Sequence, residues 1–163
     1  MTAVYNQGID ERQATFETRR REPHELASWL EATPFLVAER AGRVLGFARV
    51  SPTSSRRVYA GNGEYTVYVE QGLRSGGIGR RLLLALLAAA EAEGFTKLIS
   101  RIFATNARSL ALAASCGFRE VGVQRRHARL DGEWRDVVLV EILLGEAADG
   151  AGDGRAEVRL RRS

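Results

Sequence analysis

VYVEQGLRSGGIGRRLL, Val67–Leu83, is the stretch from which the rest of the chain is read. A β-branched, aromatic run ends, glycines follow at Gly72, Gly76, Gly77 and Gly79, and an apolar helical pattern begins at once. Glycine permits backbone conformations closed to other residues and lets a ligand approach the main chain. Free amides at a helix start, with the helix dipole behind them, suit phosphate oxygens. Arg74, Arg80 and Arg81 add positive charge beside them. Neither GxxxxGK[ST] nor G-x-G-x-x-G is present, so this is not a Walker A loop or a dinucleotide fingerprint. The pattern is R-x-x-G-x-G, with Arg74, Gly77 and Gly79. A plain glycine turn ahead of a helix would share the hexapeptide; the flanking strand and long helix favour a phosphate cradle.

Outward from this loop the chain alternates strands and helices. Glu22–Thr33 reads as an amphipathic helix with Pro23 in its first turn. Pro34–Arg40 and Arg43–Ser51 read as strands joined by a turn at Ala41–Gly42. Pro52–Ala60 is a polar loop bearing arginines, and Glu64–Glu70 is a third strand. The helix after the glycines runs from about Arg80 to Glu93, where Gly94 stops it. A strand, Thr96–Phe103, precedes a second helix, Ala107–Cys116, which Gly117 ends. The last strands are Phe118–Val123 and Val137–Leu144, separated by a polar connection that holds the Asp131–Gly132 turn signal. This order gives an α/β (α+β) domain with one central sheet.

The 163 residues suffice for one compact domain. With 45% hydrophobic and 27% charged residues, global disorder is excluded. The longest apolar run, Leu82–Ala90, is too short to cross a bilayer, and MTAVYNQGIDER lacks the apolar core of a signal peptide. Cys116 is the one cysteine, so no intramolecular disulfide forms; with two histidines, no structural zinc site is expected. These features are read as a cytoplasmic protein without membrane partners. The net charge of +4 and pI near 9.8 raise a nucleic-acid reading. The arginines are dispersed, however, and a positive surface equally suits a polyanionic small molecule. We therefore expect no nucleic-acid partner. From Gly145 the chain is rich in Gly, Ala and charge without apolar periodicity, and 146–163 is expected to be a mobile tail.

Seven further motifs extend the glycine loop in order: Tyr5–Thr18, Phe35–Glu39, Glu64–Val69, Lys97–Phe103, Asn106 with Ser109, Gly117–Gly122 and Arg126–Glu141. Together they resemble the GNAT family of acetyl-CoA-dependent N-acetyltransferases, and within it the phosphinothricin and arsinothricin-resistance acetyltransferases. The resemblance covers about residues 4–145. It implies the GNAT fold over 1–145, a central mixed sheet flanked by helices, and direct acetyl transfer to a substrate amine in a homodimer. Acetyl-CoA is the implied co-substrate, with no metal. The chemistry has three demands: the ammonium must lose a proton, the thioester carbonyl must be polarised, and the departing thiolate must be stabilised.

The resemblance assigns roles by position. Glu64 becomes the general base, acting through water, and also an attraction for the substrate ammonium. The main chain of Val67, Tyr68 and Val69 pairs with the pantetheine arm, while their side chains read as core. Arg74, Ser75, Gly76, Gly77, Ile78, Gly79 and Arg80 surround the pyrophosphate. Asn106 contacts CoA or caps the second helix, both readings being open, and Ser115 lines the CoA end. Ser54, Arg56, Glu64, Tyr65 and Thr66 contact the substrate, with Arg56 the anion anchor; relatives carry an arginine where Ser54 stands. His127 and Trp134 fall in the segment near the substrate opening.

Two departures stand out. Ala113 occupies a position where relatives carry a tyrosine or histidine that can protonate the thiolate. Only four residues precede Tyr5, where the resemblance implies a strand and most of a helix, so a sheet lacking its first strand is expected. The leading reading is an N-acetyltransferase of a glutamate-like toxic amino acid, phosphinothricin or arsinothricin, conferring resistance. Alternative acceptors are methionine sulfoximine, another amino acid or a polyamine. A CoA-binding protein without turnover and a nucleic-acid binder are the readings from other classes.

Overall fold

The structure, a computed structural model, describes residues 1–149. Its elements are α1 (Thr2–Asp10), a 3-10 segment (Pro23–Glu31), β1 (Phe35–Arg40), β2 (Arg43–Pro52), β3 (Asn62–Val69), α2 (Ile78–Ala92), β4 (Lys97–Phe103), α3 (Ala107–Ser115), β5 (Arg119–Leu130), β6 (Glu133–Leu143) and a last turn, α4 (Glu146–Asp149). The six strands form one sheet in the order β1-β2-β3-β4-β6-β5. Every neighbouring pair is antiparallel except β3 and β4. Among the described residues no strand precedes β1, which stands at one edge of the sheet. The expected tail, 146–163, opens with the helical turn α4, and the rest of it, beyond Asp149, lies outside the described residues.

Two hairpins follow from backbone chemistry. Ala41 and Gly42 have φ of 49° and 76°, and Asp131 and Gly132 have φ of 50° and 84°. Two residues with positive φ make the turn whose twist matches that of paired strands. The second turn corrects the sequence reading. The polar stretch before Val137 is strand, and β5 and β6 pair from Arg119↔Glu141 to Leu130↔Glu133. Its side chains are mostly exposed on both faces, so no alternating pattern marked it.

Two other expectations are revised. Glu22–Thr33 is a 3-10 segment over Pro23–Glu31, closed by a reciprocal cap in which Glu25 takes the Glu22 amide. Thr2–Asp10, which carried no predicted element, is helical because Val4, Tyr5 and Ile9 bury on one side. The long helix starts at Ile78 rather than Arg80.

The sheet separates two cores. On one face Leu82, Leu83, Leu86 and Ala90 of α2 pack on aliphatic strand residues, with Ala113, Cys116 and Phe118 closing the end. On the other, α1 and the 3-10 segment pack Tyr5, Ile9 and Leu26 against Phe47 and Tyr68. The second core is aromatic: Tyr5 meets Trp29 and Tyr68 edge-on, and Phe47 stacks between Phe35 and Tyr68.

Candidate active site

The site arises where the sheet splits. β3 and β4 pair only from Asn62↔Lys97 to Glu64↔Ile99. β3 then continues to Val69 and β4 to Phe103, so the strands diverge. Beyond Glu64 the side of β3 facing β4 has no strand partner, leaving backbone donors and acceptors for an extended ligand. Two cavities meet at this fork. One of about 280 Å³ lies between Glu64–Tyr68 and Ser100–Phe103, with Trp29 and Arg49 on its wall. The other, about 420 Å³, lies between the glycine loop and α3. Val67, Ser109 and Leu112 border both.

The glycine loop fits a phosphate. Ser75 and Gly77 both have left-handed φ, 72° and 78°. Gly77 is the N-cap of α2 and no side chain caps it, so the first-turn amides stay open. A Cβ on Gly79 would come within 3.3 Å of Leu112, so glycine there lets α2 and α3 close the cleft. Arg80 borders this cavity and forms no ion pair among the described residues. Arg108, which the sequence did not single out, stands across from it. Ile78 turns into the core. Gly76 belongs to the loop, and its Cβ would stand 3.3 Å from the Leu73 carbonyl.

Arg74 has structural partners. Its Nη1 meets Glu11 at 2.6 Å and its Nε donates to the Val69 carbonyl at 3.1 Å. The motif arginine thus ties the loop to the strand end and to the residue that closes α1. The Gln71 amide reinforces this tether by donating to the Gln7 side chain at 2.9 Å.

Glu64 sits at the fork, bordering the smaller cavity and a neighbouring opening lined by Phe16 and His127. Arg101, four residues along from Lys97 on β4, donates to its carboxylate at 3.0 Å. Sequence reasoning missed Arg101, because only the pairing of β3 with β4, which sets Glu64 opposite Ile99, brings Arg101 two positions further on within reach of its carboxylate. Thr66 shares the face of Glu64. Tyr65 turns the other way, against Phe118 with ring centres 4.7 Å apart. Burial pushes its phenol pKa up, opposed by a hydrogen bond to Ser100. The side chains of Val67 and Val69 pack against the aliphatic core. Tyr68 is buried in the aromatic one, and its hydroxyl donates to the Ala14 carbonyl at 3.3 Å.

Both open readings of Asn106 gain an observation. Its Oδ1 accepts from the Ser109 amide, capping α3, and its Nδ2 donates to the Gln13 carbonyl at 2.8 Å, while the residue borders the fork cavity. Ser115 borders the loop cavity with its hydroxyl bonded to the Leu112 carbonyl. Ser54 and Arg56 are not brought to Glu64. They lie on the outer loop between β2 and β3, Arg56 exposed over the Tyr59 ring, and border none of these cavities. Ala113 is buried in the aliphatic core and presents no proton donor to the cleft. Trp134 is exposed on the outer hairpin beneath Arg129, outside the cavities around Glu64. Among the described residues no group of three or more histidine, cysteine or carboxylate side chains is arranged to hold a metal, and no helix is long and apolar enough to cross a membrane.

A split sheet, an amide cradle opening a helix and a carboxylate at the fork define an acyl-CoA-dependent N-acyltransferase. The sequence places it further: the acetyltransferase (GNAT) family matches residues 5–118, and the chain belongs to that family as an N-acetyltransferase. It is 35% identical over 147 residues to a phosphinothricin N-acetyltransferase of Alcaligenes faecalis, covering 86% of this chain and 75% of that one. It is 32% identical over 147 residues to an L-methionine sulfoximine/L-methionine sulfone acetyltransferase of Pseudomonas aeruginosa, covering 88% and 80%. The crystal structure of a phosphinothricin acetyltransferase from Sinorhizobium meliloti in complex with acetyl-CoA superposes with a TM-score of 0.84 at 28% identity, covering 99% of this chain and 91% of that one.

Proposed function

We propose that this enzyme transfers the acetyl group of acetyl-CoA to the α-amino group of a glutamate-like amino acid, with phosphinothricin, arsinothricin and methionine sulfoximine as the acceptors to test. Acetylation removes the ammonium charge on which recognition of such glutamate mimics depends. The carrying observation is Glu64, held by Arg101 at the fork where the two cavities join.

Each residue then has a task. The open amides of Gly77, Ile78, Gly79 and Arg80, with the Arg80 and Arg108 charges, hold the pyrophosphate. The unpaired edge of Val67–Val69 aligns the pantetheine arm, and an amide on that edge donates to the thioester oxygen as charge builds there. Glu64 attracts the ammonium and takes its proton through water, leaving a free amine to attack. The nitrogen–carbon bond forms as the carbon–sulfur bond breaks, and the nitrogen sheds its second proton to water. Ala113 supplies no proton to the thiolate, which leaves as such or takes one from water, since its ordinary pKa lies near 8.5. The exposed Val121, Val123 and Trp134 on the outer hairpin suit the expected homodimer, which light scattering would check.

The test is release of CoA from acetyl-CoA, followed with a thiol reagent. Saturable release with one of these acceptors, falling about 10²–10⁴-fold in kcat/KM in Glu64→Gln, supports the reading. Binding of CoA without release on any amine would favour the second reading, a CoA-binding protein without turnover, which Ala113 motivates.

A further inference from the structure

Among the described residues, Arg49 is the one cation on the wall of the fork cavity without an anion. It lies on β2 opposite Thr66, on the sheet face that also carries Glu64 and Tyr68. Its guanidinium carbon stands 4.0 Å from the centre of the Trp29 ring. Its Nε is buried without a hydrogen-bond partner. Arginines nearby are satisfied: Arg74 by Glu11, Arg101 by Glu64 and Arg12 by Asp131. Among the described residues no carboxylate comes within ion-pair reach of Arg49. Burial accordingly pulls its pKa down from the ordinary arginine value, partly opposed by Tyr5 and Tyr68. Arg49 is half-buried, so its guanidinium is partly desolvated without a counter-charge, and the face of Trp29 offsets part of that cost.

Glu64 stands close to this cation without pairing with it. The register sets Arg49 opposite Thr66 and Ser51 opposite Glu64. Arg49 and Glu64 are therefore diagonal neighbours on one face, a spacing of roughly 7–8 Å. Glu64 is drawn to Arg101 on one side, and Arg49 is stacked on Trp29 on the other. Both side chains border the same cavity. A carboxylate and a guanidinium held apart across a small cavity match a ligand carrying an ammonium and a carboxylate of its own.

We propose that Arg49, seated on Trp29, binds the carboxylate of the acceptor amino acid while Glu64 receives its amine. This rests on the proposed amino-acid acetyltransferase reading and names the residue that makes the site select amino acids over simple amines. The planar fork of arginine suits a carboxylate, and lysine would replace the charge without the stacked, two-pronged geometry.

The test uses binding, so it does not depend on turnover. The chain has two tryptophans, Trp29 and Trp134. In a Trp134→Phe background, Trp29 emission reports the cavity directly. L-Methionine sulfoximine is expected to give a saturable change, and its carboxamide a much weaker one. Arg49→Met should weaken binding of the amino acid at least tenfold, leave the carboxamide unmoved, and retain the thermal unfolding midpoint within a few degrees. Arg49→Lys should recover part of the affinity. An unchanged Kd in Arg49→Met, or no saturable signal in the parent with either methionine sulfoximine or phosphinothricin, overturns the proposal. Thiol release separates it from the reading beneath it. Amino acids that bind through Arg49 but never release CoA would sink the acetyltransferase reading alone. Acetylation of amino acids with a KM unmoved by Arg49→Met would sink this one alone.

Discussion

The two cavities that meet at the fork are built in opposite ways. The glycine-loop cavity comes from two short stretches, Val67–Arg80 and Arg108–Ser115. The fork cavity draws on seven separated parts of the chain: Tyr5, Ala14–Thr15, Trp29, Arg49, the diverging ends of β3 and β4, and the start of α3 from Asn106 to Leu112. In the proposed function the first would hold a constant ligand through backbone groups, so its needs are conformational and local. In the same proposal the second would recognise an acceptor through side chains, so one substitution on any contributing element would retune it. The supporting cores differ likewise, aliphatic beneath the loop and aromatic beneath the acceptor wall.

Core truncation breaks this comparison with the largest effect on stability. Phe47 is fully buried between Phe35 and Tyr68, and Leu86 is fully buried in α2. Phe47→Ala should cost about 3–5 kcal/mol and Leu86→Ala about 2–5 kcal/mol in urea unfolding. The sharper expectation concerns function below the midpoint. Phe47→Ala should raise the acceptor KM more than the acetyl-CoA KM, and Leu86→Ala should do the reverse. Equal effects on both constants would show that the cavities are energetically one.

A change of intermediate size acts on the loop alone. Gly77 has φ of 78° with nothing near its Cβ position, so the obstacle there is backbone strain and not crowding. Gly77→Val should cost about 1–2 kcal/mol. This should appear as roughly a tenfold rise in acetyl-CoA KM with the acceptor KM unmoved, measured by steady-state thiol release.

The smallest effect belongs to the acceptor wall and is set by pH. Glu25 is pulled down to a pKa of about 2 by Arg19 first and then by the Glu22 amide, against burial, with Arg21 adding a lesser pull. The folded value lies below the unfolded one. Its stabilisation is therefore complete above the unfolded pKa and is lost as pH falls toward about 2. Glu25 closes the cap of the segment that carries Trp29. Between pH 4.5 and 2, Trp29 emission in Trp134→Phe should shift before the helical circular dichroism falls. In Glu25→Gln that early shift should vanish.

The sequence by itself determined an α/β order around one central sheet, the β1–β2 hairpin and the glycine turn that opens α2, while the mixed sheet and the role of Glu64 were implied by the resemblance of its motifs. The first three are local demands: left-handed backbone at Gly77, an apolar helix directly after it, a β-branched strand directly before it. Where local demands are weak, the reading ran short. The β5–β6 pairing hides in a strand exposed on both faces, and α1 has a short apolar face and no side-chain cap. Tertiary structure alone decided the partners. Arg49 reads from sequence as one more polar position in RVLGFARVS, and Arg101 as one in KLISRIF. The strand register puts both diagonal to Glu64, one on each neighbouring strand, and the fold of the 3-10 segment lays Trp29 under Arg49. Charge recognition depends on distance between side chains far apart along the chain, and that distance exists only once the sheet has closed.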